Sequence, residues 1–371
     1  MELHLRLAFK KRLIGNKQNK TMSNTYNSET AKLSQIMIVE MFKVQPGETV
    51  AITGDNGSNR DLADALAAET KAAGGKSLIL WTPKAEQDGE AGMKDWPSEV
   101  LIAALSHVDV WIELNSKVFL YSTIWEKAFE NNKKLRYLII GESSIPSLIR
   151  TFVGFGIDIL EEFLNKIKVM TMKAKVITIT SANGTKLTYE TDSNYSFDID
   201  SGDYSKPIFG TAPGYVNIVP KTNTMNGNIV FDMIQHADVY NTDNHLEFIM
   251  KDGRIAEVKG GAEAEKYKTY LASFNDPNMY KISHNMFGFG PNIRKLCGEI
   301  VEDERIWGGV DFGFGHTSPM DMPPLGQPAK SHFDGVVAKV SIFLDDIQIV
   351  DDGVVCHPEL KPLAEKLLNN L

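Results

Sequence analysis

The chain has 371 residues, 43% apolar and 23% charged, with a net charge of −9 at pH 7. Those fractions exclude a disordered, collagen-like or coiled-coil chain and leave a soluble globular protein of two or three domains. The acidic balance argues against a nucleic-acid partner, which draws on clustered Lys and Arg, and no run approaches the roughly 18 apolar residues of a membrane span.

In chain order, residues 1–27 come first. They carry Lys10, Lys11, Arg12, Lys17 and Lys20 beside a short apolar patch. His4 and Arg6 break that patch and no small-residue cleavage site follows, so the segment reads as a disordered extension rather than a targeting peptide. Ser28 to Val44 has a helical apolar side, ended by Gln45-Pro46-Gly47. An alternation then starts. Thr49–Gly54, Ser77–Thr82, Val108–Leu114 and Arg136–Gly141 are short Val, Ile and Leu runs. Helical patterns separate them, over Asp61–Ala73 behind a Ser58-x-x-Asp61 capping box, Pro97–Ser106 and Thr123–Asn131. Strands that are apolar throughout and alternate with helices predict a parallel sheet covered on both faces. Residues 28–172 are therefore expected to form an α/β domain closed by a long helical stretch from Ile145 to Met172.

The pattern changes at Lys173. Val176–Thr180 and Lys186–Thr191 flank Asn183-Gly184, a strong hairpin signal. Short strands follow at Gly227–Asp232, Glu247–Met250 and Ser341–Leu344, with one clear helix at Ala262–Ser273. Residues 173–371 are expected to be a β-rich α+β domain.

Few common motifs are present. Gly54-Asp55-Asn56-Gly57 sits between a strand and a helix but matches no phosphate-loop pattern, and a plain turn is the better reading. There is no Gly-x-Ser-x-Gly elbow, His-Glu-x-x-His or Cys-x-x-Cys. The two cysteines, Cys297 and Cys356, are too few for a disulfide framework and read as reduced thiols of a cytoplasmic protein. Gly288-Phe289-Gly290 and Gly313-Phe314-Gly315 suggest tight backbone packing around a site, or ordinary turns. Ser143 and Ser144 end the fourth strand, where parallel sheets often present ligands.

Of eight histidines, His332 is the most informative. His332-Phe333-Asp334 opens an alternating, strand-like run, and residues i and i+2 of a strand share a face. The imidazole and the carboxylate can thus reach one ion together. With one further histidine they would complete the 2-His-1-carboxylate set of non-haem Fe(II) oxygenases.

Several segments together resemble one family: the thermophilic (M29-type) metalloaminopeptidases and their offshoot, the 2,5-dihydroxypyridine 5,6-dioxygenases. Pro46-Gly47-Glu48-Thr49-Val50-Ala51-Ile52 is similar to the opening strand. Thr211-Ala212-Pro213-Gly214-Tyr215-Val216 and Met225-Asn226-Gly227-Asn228-Ile229-Val230 are similar to the mid-chain signature. Gly298 to Glu304, Phe312-Gly313-Phe314-Gly315 and Ser331-His332-Phe333-Asp334-Gly335 are similar to the C-terminal core. The resemblance implies an aminopeptidase-like, metal-binding second domain, and a homo-oligomer.

Departures separate the two branches. Tyr215 stands where the aminopeptidases carry a glutamate ligand after Pro-Gly. His284 stands near a second glutamate, and Asp311 where a histidine is expected. A two-metal centre needs several carboxylates, so two Zn²⁺, Co²⁺ or Mn²⁺ ions cleaving N-terminal residues from peptides is the alternative. The dioxygenase branch implies one Fe(II), held by His284, His332 and Asp334, with a hydroxylated aromatic ring and O₂ as substrates. Asp311 is then a group that orients a ligand or touches substrate. His316 and His245 are candidate acid/base groups, and Tyr215 a substrate contact. Glu299, Glu302 and Glu304 read as a solvated helix end or strand rim.

Overall fold

The computed structural model describes residues 28–141, 143–239 and 245–369. The expected extension over 1–27 lies outside the described residues. Two compact units divide the chain between Tyr137 and Leu138, with Ser205–Pro207 grouped with the first.

The first unit is built on a sheet in the order β2-β1-β3-β4: β1 (Thr49–Asp55), β2 (Lys76–Thr82), β3 (Val110–Glu113) and β4 (Arg136–Ile139). β1 runs parallel to both β2 and β3. β3 is buried along its whole length and β1 everywhere but its first residue, as apolar runs predict, whereas edge strand β2 is half exposed. The helix Arg60–Ala72 is capped by Asn59, whose side chain accepts from Leu62 N–H at 3.0 Å. The expected cap, Ser58, instead turns its hydroxyl to Asp55. Asp55 explains the Gly54–Gly57 turn: its carboxylate accepts from Gly57 N–H, Ser116 Oγ and Lys117 N–H at 2.7–3.0 Å. The Gly57 and Lys117 N–H groups that could cradle a phosphate are taken by this side chain.

The second unit carries the remaining strands: β5 (Val176–Ser181), β6 (Lys186–Glu190), β7 (Phe197–Asp200), β8 (Ile208–Gly210), β9 (Tyr215–Ile218), β10 (Asn226–Val230), β11 (Met233–Ile234), β12 (Leu246–Lys251) and β13 (Arg254–Gly260). After the helix Ala262–Ser273 come β14 (Ile282–Gly288), β15 (Gly309–Thr317), β16 (Gln327–Val337), β17 (Val340–Leu344), β18 (Ile347–Asp351) and β19 (Val354–Val355). Apart from β8, they form an eight-stranded sheet, β13-β12-β10-β6-β5-β17-β18-β19, and a six-stranded sheet, β11-β16-β15-β14-β9-β7. β5 and β6 are the expected hairpin, with Gly184 at φ +106° in its turn.

The α/β plus β-rich α+β architecture is as the pattern predicts, but the expected break at 172/173 falls inside the second unit. The reason is burial. The predicted helix Ile145–Met172 is two helices, Ile145–Phe152 and Ile157–Lys173, interrupted around Gly154 at φ +94°. The second buries Leu160, Phe163, Leu164 and Ile167 in the same core as Phe287, Phe312 and Phe333. Phe163 stacks on Trp307, centroids 5.5 Å apart. Among the described residues no helix is long and apolar enough to cross a membrane.

Candidate metal centre

The six-stranded sheet has two unlike faces, and its register dictates both. Residues opposite one another in a ladder share a face. Asp334 pairs with Gly313, and Gly313 with His284; one row along, Val336 pairs with Asp311, Asp311 with Met286, and Met286 with Asn217. His332 lies two residues from Asp334, on the same side. The residues between them, Phe287, Phe312, Phe314 and Phe333, point the other way into the core, where Phe314 and Phe333 stack 5.2 Å apart. Alternation thus separates a phenylalanine-rich face from the one that carries the cluster, beside Met286 and Val336.

Glycines on β15 make the polar face work. A Cβ at Gly313 would lie 2.7 Å from His284 Nδ1 and Nε2. Only glycine lets the His284 ring lie across β15 and reach β16. The Phe-Gly-Phe-Gly motif therefore places bulk below the sheet and absence of bulk beneath an imidazole. The two imidazoles, His284 and His332, stack with centroids 5.2 Å apart and planes 22° from parallel.

The donor atoms converge. His332 Nε2 is 3.0 Å from Asp334 Oδ1, and His284 Nε2 is 3.6 Å from that oxygen and 3.2 Å from Asp311 Oδ2. His284, His332 and Asp334 each offer one ligand atom within 4.8 Å of the others. His332 Nδ1 lies 2.8 Å from the carbonyl of His316. A carbonyl can only accept, so Nδ1 carries a proton and Nε2 is the ring atom turned to the cluster.

The electrostatics couple these groups to one another. Burial pulls His284 down to about 4, so its ring is neutral. Burial also opposes charge on His332, but Asp334 outweighs it and raises the imidazole. Burial likewise pushes Asp334 up, yet His332 holds it below the usual carboxylate range. Asp311 is pushed well up by burial, then by the negative charges of Asp334 and Glu304. Its Oδ1 is buried with no hydrogen-bond partner among the described residues. These shifts pair the donors through protons, one from His332 to Asp334 and one from Asp311 to His284, and a divalent ion would displace them. Two imidazoles and a carboxylate fit a divalent first-row ion.

The other predicted residues are distributed unevenly. His316 joins the site through its carbonyl, while burial lowers its imidazole to about 4. Tyr215 is buried; its hydroxyl accepts from Thr211 Oγ1 at 3.2 Å and its ring lies beneath the Arg305 guanidinium. His245 lies outside the cluster, half exposed before β12 with Glu247 4.0 Å away. The reading of Glu299, Glu302 and Glu304 as a solvated rim is corrected. Glu302 is 1% exposed and bound by Arg150 at 2.5 and 2.7 Å. Glu299 takes both the N–H and hydroxyl of Ser144, whose own oxygen caps the helix Ile145–Phe152. Burial raises Glu304 to about 7 despite Arg305 beside it.

Arg305 is the residue that sequence reasoning missed. It is 1% exposed and donates to the carbonyls of Thr211, Ala212 and Val301, to Thr211 Oγ1 and to Glu304. It clamps the loop ahead of Tyr215, including Ala212 at φ +103°. The available signal was an arginine next to an acid in a buried apolar context.

The model of the NicX family, described as 2,5-dihydroxypyridine 5,6-dioxygenase, matches residues 35–357. A curated relative, 2,5-dihydroxypyridine 5,6-dioxygenase of Pseudomonas putida strain KT2440, is 25% identical over 158 residues. That stretch spans 39% of this chain and 44% of the relative's length. Among solved structures, a 2,5-dihydroxypyridine dioxygenase from P. putida KT2440 superposes with a TM-score of 0.75 at 18% identity, covering 90% of this chain and 99% of that one. Wild-type AmpT from Thermus thermophilus gives 0.64 at 11% identity, covering 90% and 100%. These likenesses to solved structures establish the fold, and the family match over most of the length carries membership: the chain belongs to the 2,5-dihydroxypyridine 5,6-dioxygenase family.

Proposed function

We propose that this protein is a mononuclear Fe(II) dioxygenase that opens a hydroxylated N-heteroaromatic ring, with 2,5-dihydroxypyridine as the best candidate. The observation that carries this reading is the two-imidazole, one-carboxylate cluster of His284, His332 and Asp334 in a member of that family. Bound by three protein ligands, the iron would leave positions for ring and O₂ and exchange electrons with both.

The chain's own groups prepare that centre. The His316 carbonyl fixes the His332 tautomer, Gly313 makes space for His284, and Asp311 flanks His284 Nε2 at 3.2 Å. The phenylalanine layer beneath the sheet excludes water from one side. The peptidase alternative lacks a comparable support: Tyr215 has no carboxylate, and its hydroxyl and ring are engaged by Thr211 and Arg305.

Metal analysis and oxygen uptake test the reading. Purified protein is expected to hold about one iron per chain and to consume O₂ with 2,5-dihydroxypyridine. His332→Ala should lower iron affinity by at least about 100-fold. Full iron content in that variant would sink the ligand assignment, and two zinc or cobalt ions per chain in wild type would favour the peptidase.

A further inference from the structure

The polar face of the six-stranded sheet continues past the cluster, and one group on it is left without a partner. Asn217 on β9 pairs with Met286 on β14, which pairs with Asp311 on β15. Asn217 is thus one strand from His284 and diagonal to it, which places their backbones roughly 7–8 Å apart. Met286, 4% exposed, forms the floor between Asn217 and Asp311. The Asn217 Oδ1 is buried and has no hydrogen-bond partner among the described residues. A buried amide oxygen without a donor is costly, and its neighbour Met286 has none to give. Asn217 and the cluster thus rise from the same face of adjacent strands, with Met286 between them.

We propose that Asn217 is a specificity-determining residue whose carboxamide pairs with the lactam edge of the substrate ring. This rests on the ring-opening reading above and deepens it. A carboxamide offers one acceptor and two donors from one planar group. A 2-hydroxypyridine in its pyridone tautomer presents a ring N–H beside a carbonyl, the matching pair in the same plane. The two bonds would form side by side, as when Asn reads the edge of adenine. A benzenediol with the same hydroxyls has no such edge. Asn217 would therefore select hydroxypyridones over hydroxybenzenes and set the ring's orientation toward His284 and Asp334.

The test is anaerobic titration of the full-length, iron-loaded protein with 2,5-dihydroxypyridine and with hydroquinone, which differ by the ring nitrogen. Wild type is expected to bind the pyridine about 10- to 100-fold more tightly. Asn217→Leu should lose that preference by weakening the pyridine alone, with iron content unchanged. Asn217→Asp, which keeps acceptors but loses the amide donor, should fall between the two. The assignment is overturned if Asn217→Leu weakens both rings equally, as lost packing would, or weakens neither. Equal binding of both rings by wild type also overturns it and leaves the ring-opening reading standing. If iron-loaded wild type binds neither ring, that reading fails and the assignment with it.

Discussion

Both units bury carboxylates, and they treat them differently. In the first unit, Asp55 accepts hydrogen bonds from two backbone N–H groups and two hydroxyls. Glu113, fully buried, accepts from Phe119 N–H and from Tyr137 Oη. In the second unit, Asp311 and Asp334 face imidazole nitrogens, and Asp311 Oδ1 has no hydrogen-bond partner among the described residues. A carboxylate surrounded by donors holds a fold together. Carboxylates set against imidazole nitrogens, with their protonation shifted by one another, are arranged for a ligand.

The largest expected effect on metal binding tests whether that mutual approach depends on missing bulk. Gly313→Ala puts a Cβ into the His284 ring and should cost about 10- to 100-fold in metal affinity, read by equilibrium dialysis. Unchanged affinity would mean that His284 is placed by other contacts. The next effect concerns Arg305, which gives the second unit one group as fully satisfied as Asp55. Arg305→Met strands Glu304 and three backbone carbonyls, and should destabilise the protein by about 3–5 kcal/mol in urea unfolding. A loss below about 1 kcal/mol would make the arginine replaceable.

The smallest effect sharpens the other side of the comparison. Donors do not fully offset the burial of Glu113, whose carboxyl is pushed up from 4.5 to about 8. The folded chain therefore keeps a proton that the unfolded chain releases between those values. Stability from this group is complete below pH 4.5 and is lost as pH rises to about 8, with a slope of at most about 1.4 kcal/mol per pH unit. Glu113→Gln should flatten urea midpoints measured between pH 5 and 8, each an approximate bound of that window. An unchanged slope would mean that another group titrates.

How much of this was legible beforehand varied with the range of the interaction. The apolar runs of β1 and β3, the Asn183-Gly184 hairpin and the shared face of His332 and Asp334 are local patterns of period 2, and the sequence displays them. His284 was reachable only through family resemblance, because its approach to Asp334 depends on ladder register across Gly313. The Glu299–Glu304 segment misled for the same reason. Its neutralising partners, Arg150 and Ser144, are about 150 residues away, and spacing along a chain says nothing about them. The helix break near Gly154 was a one-residue signal set against long helical periodicity.

The stacked imidazoles carry one more consequence. Each ring is fixed by neighbours other than an ion: His332 by the His316 carbonyl, His284 by the bare backbone of Gly313. Binding an ion there freezes few additional rotors, so association gives up little conformational entropy. Amide hydrogen exchange along β14 to β16 should change little on metal addition, because the ordering was completed when the sheet formed.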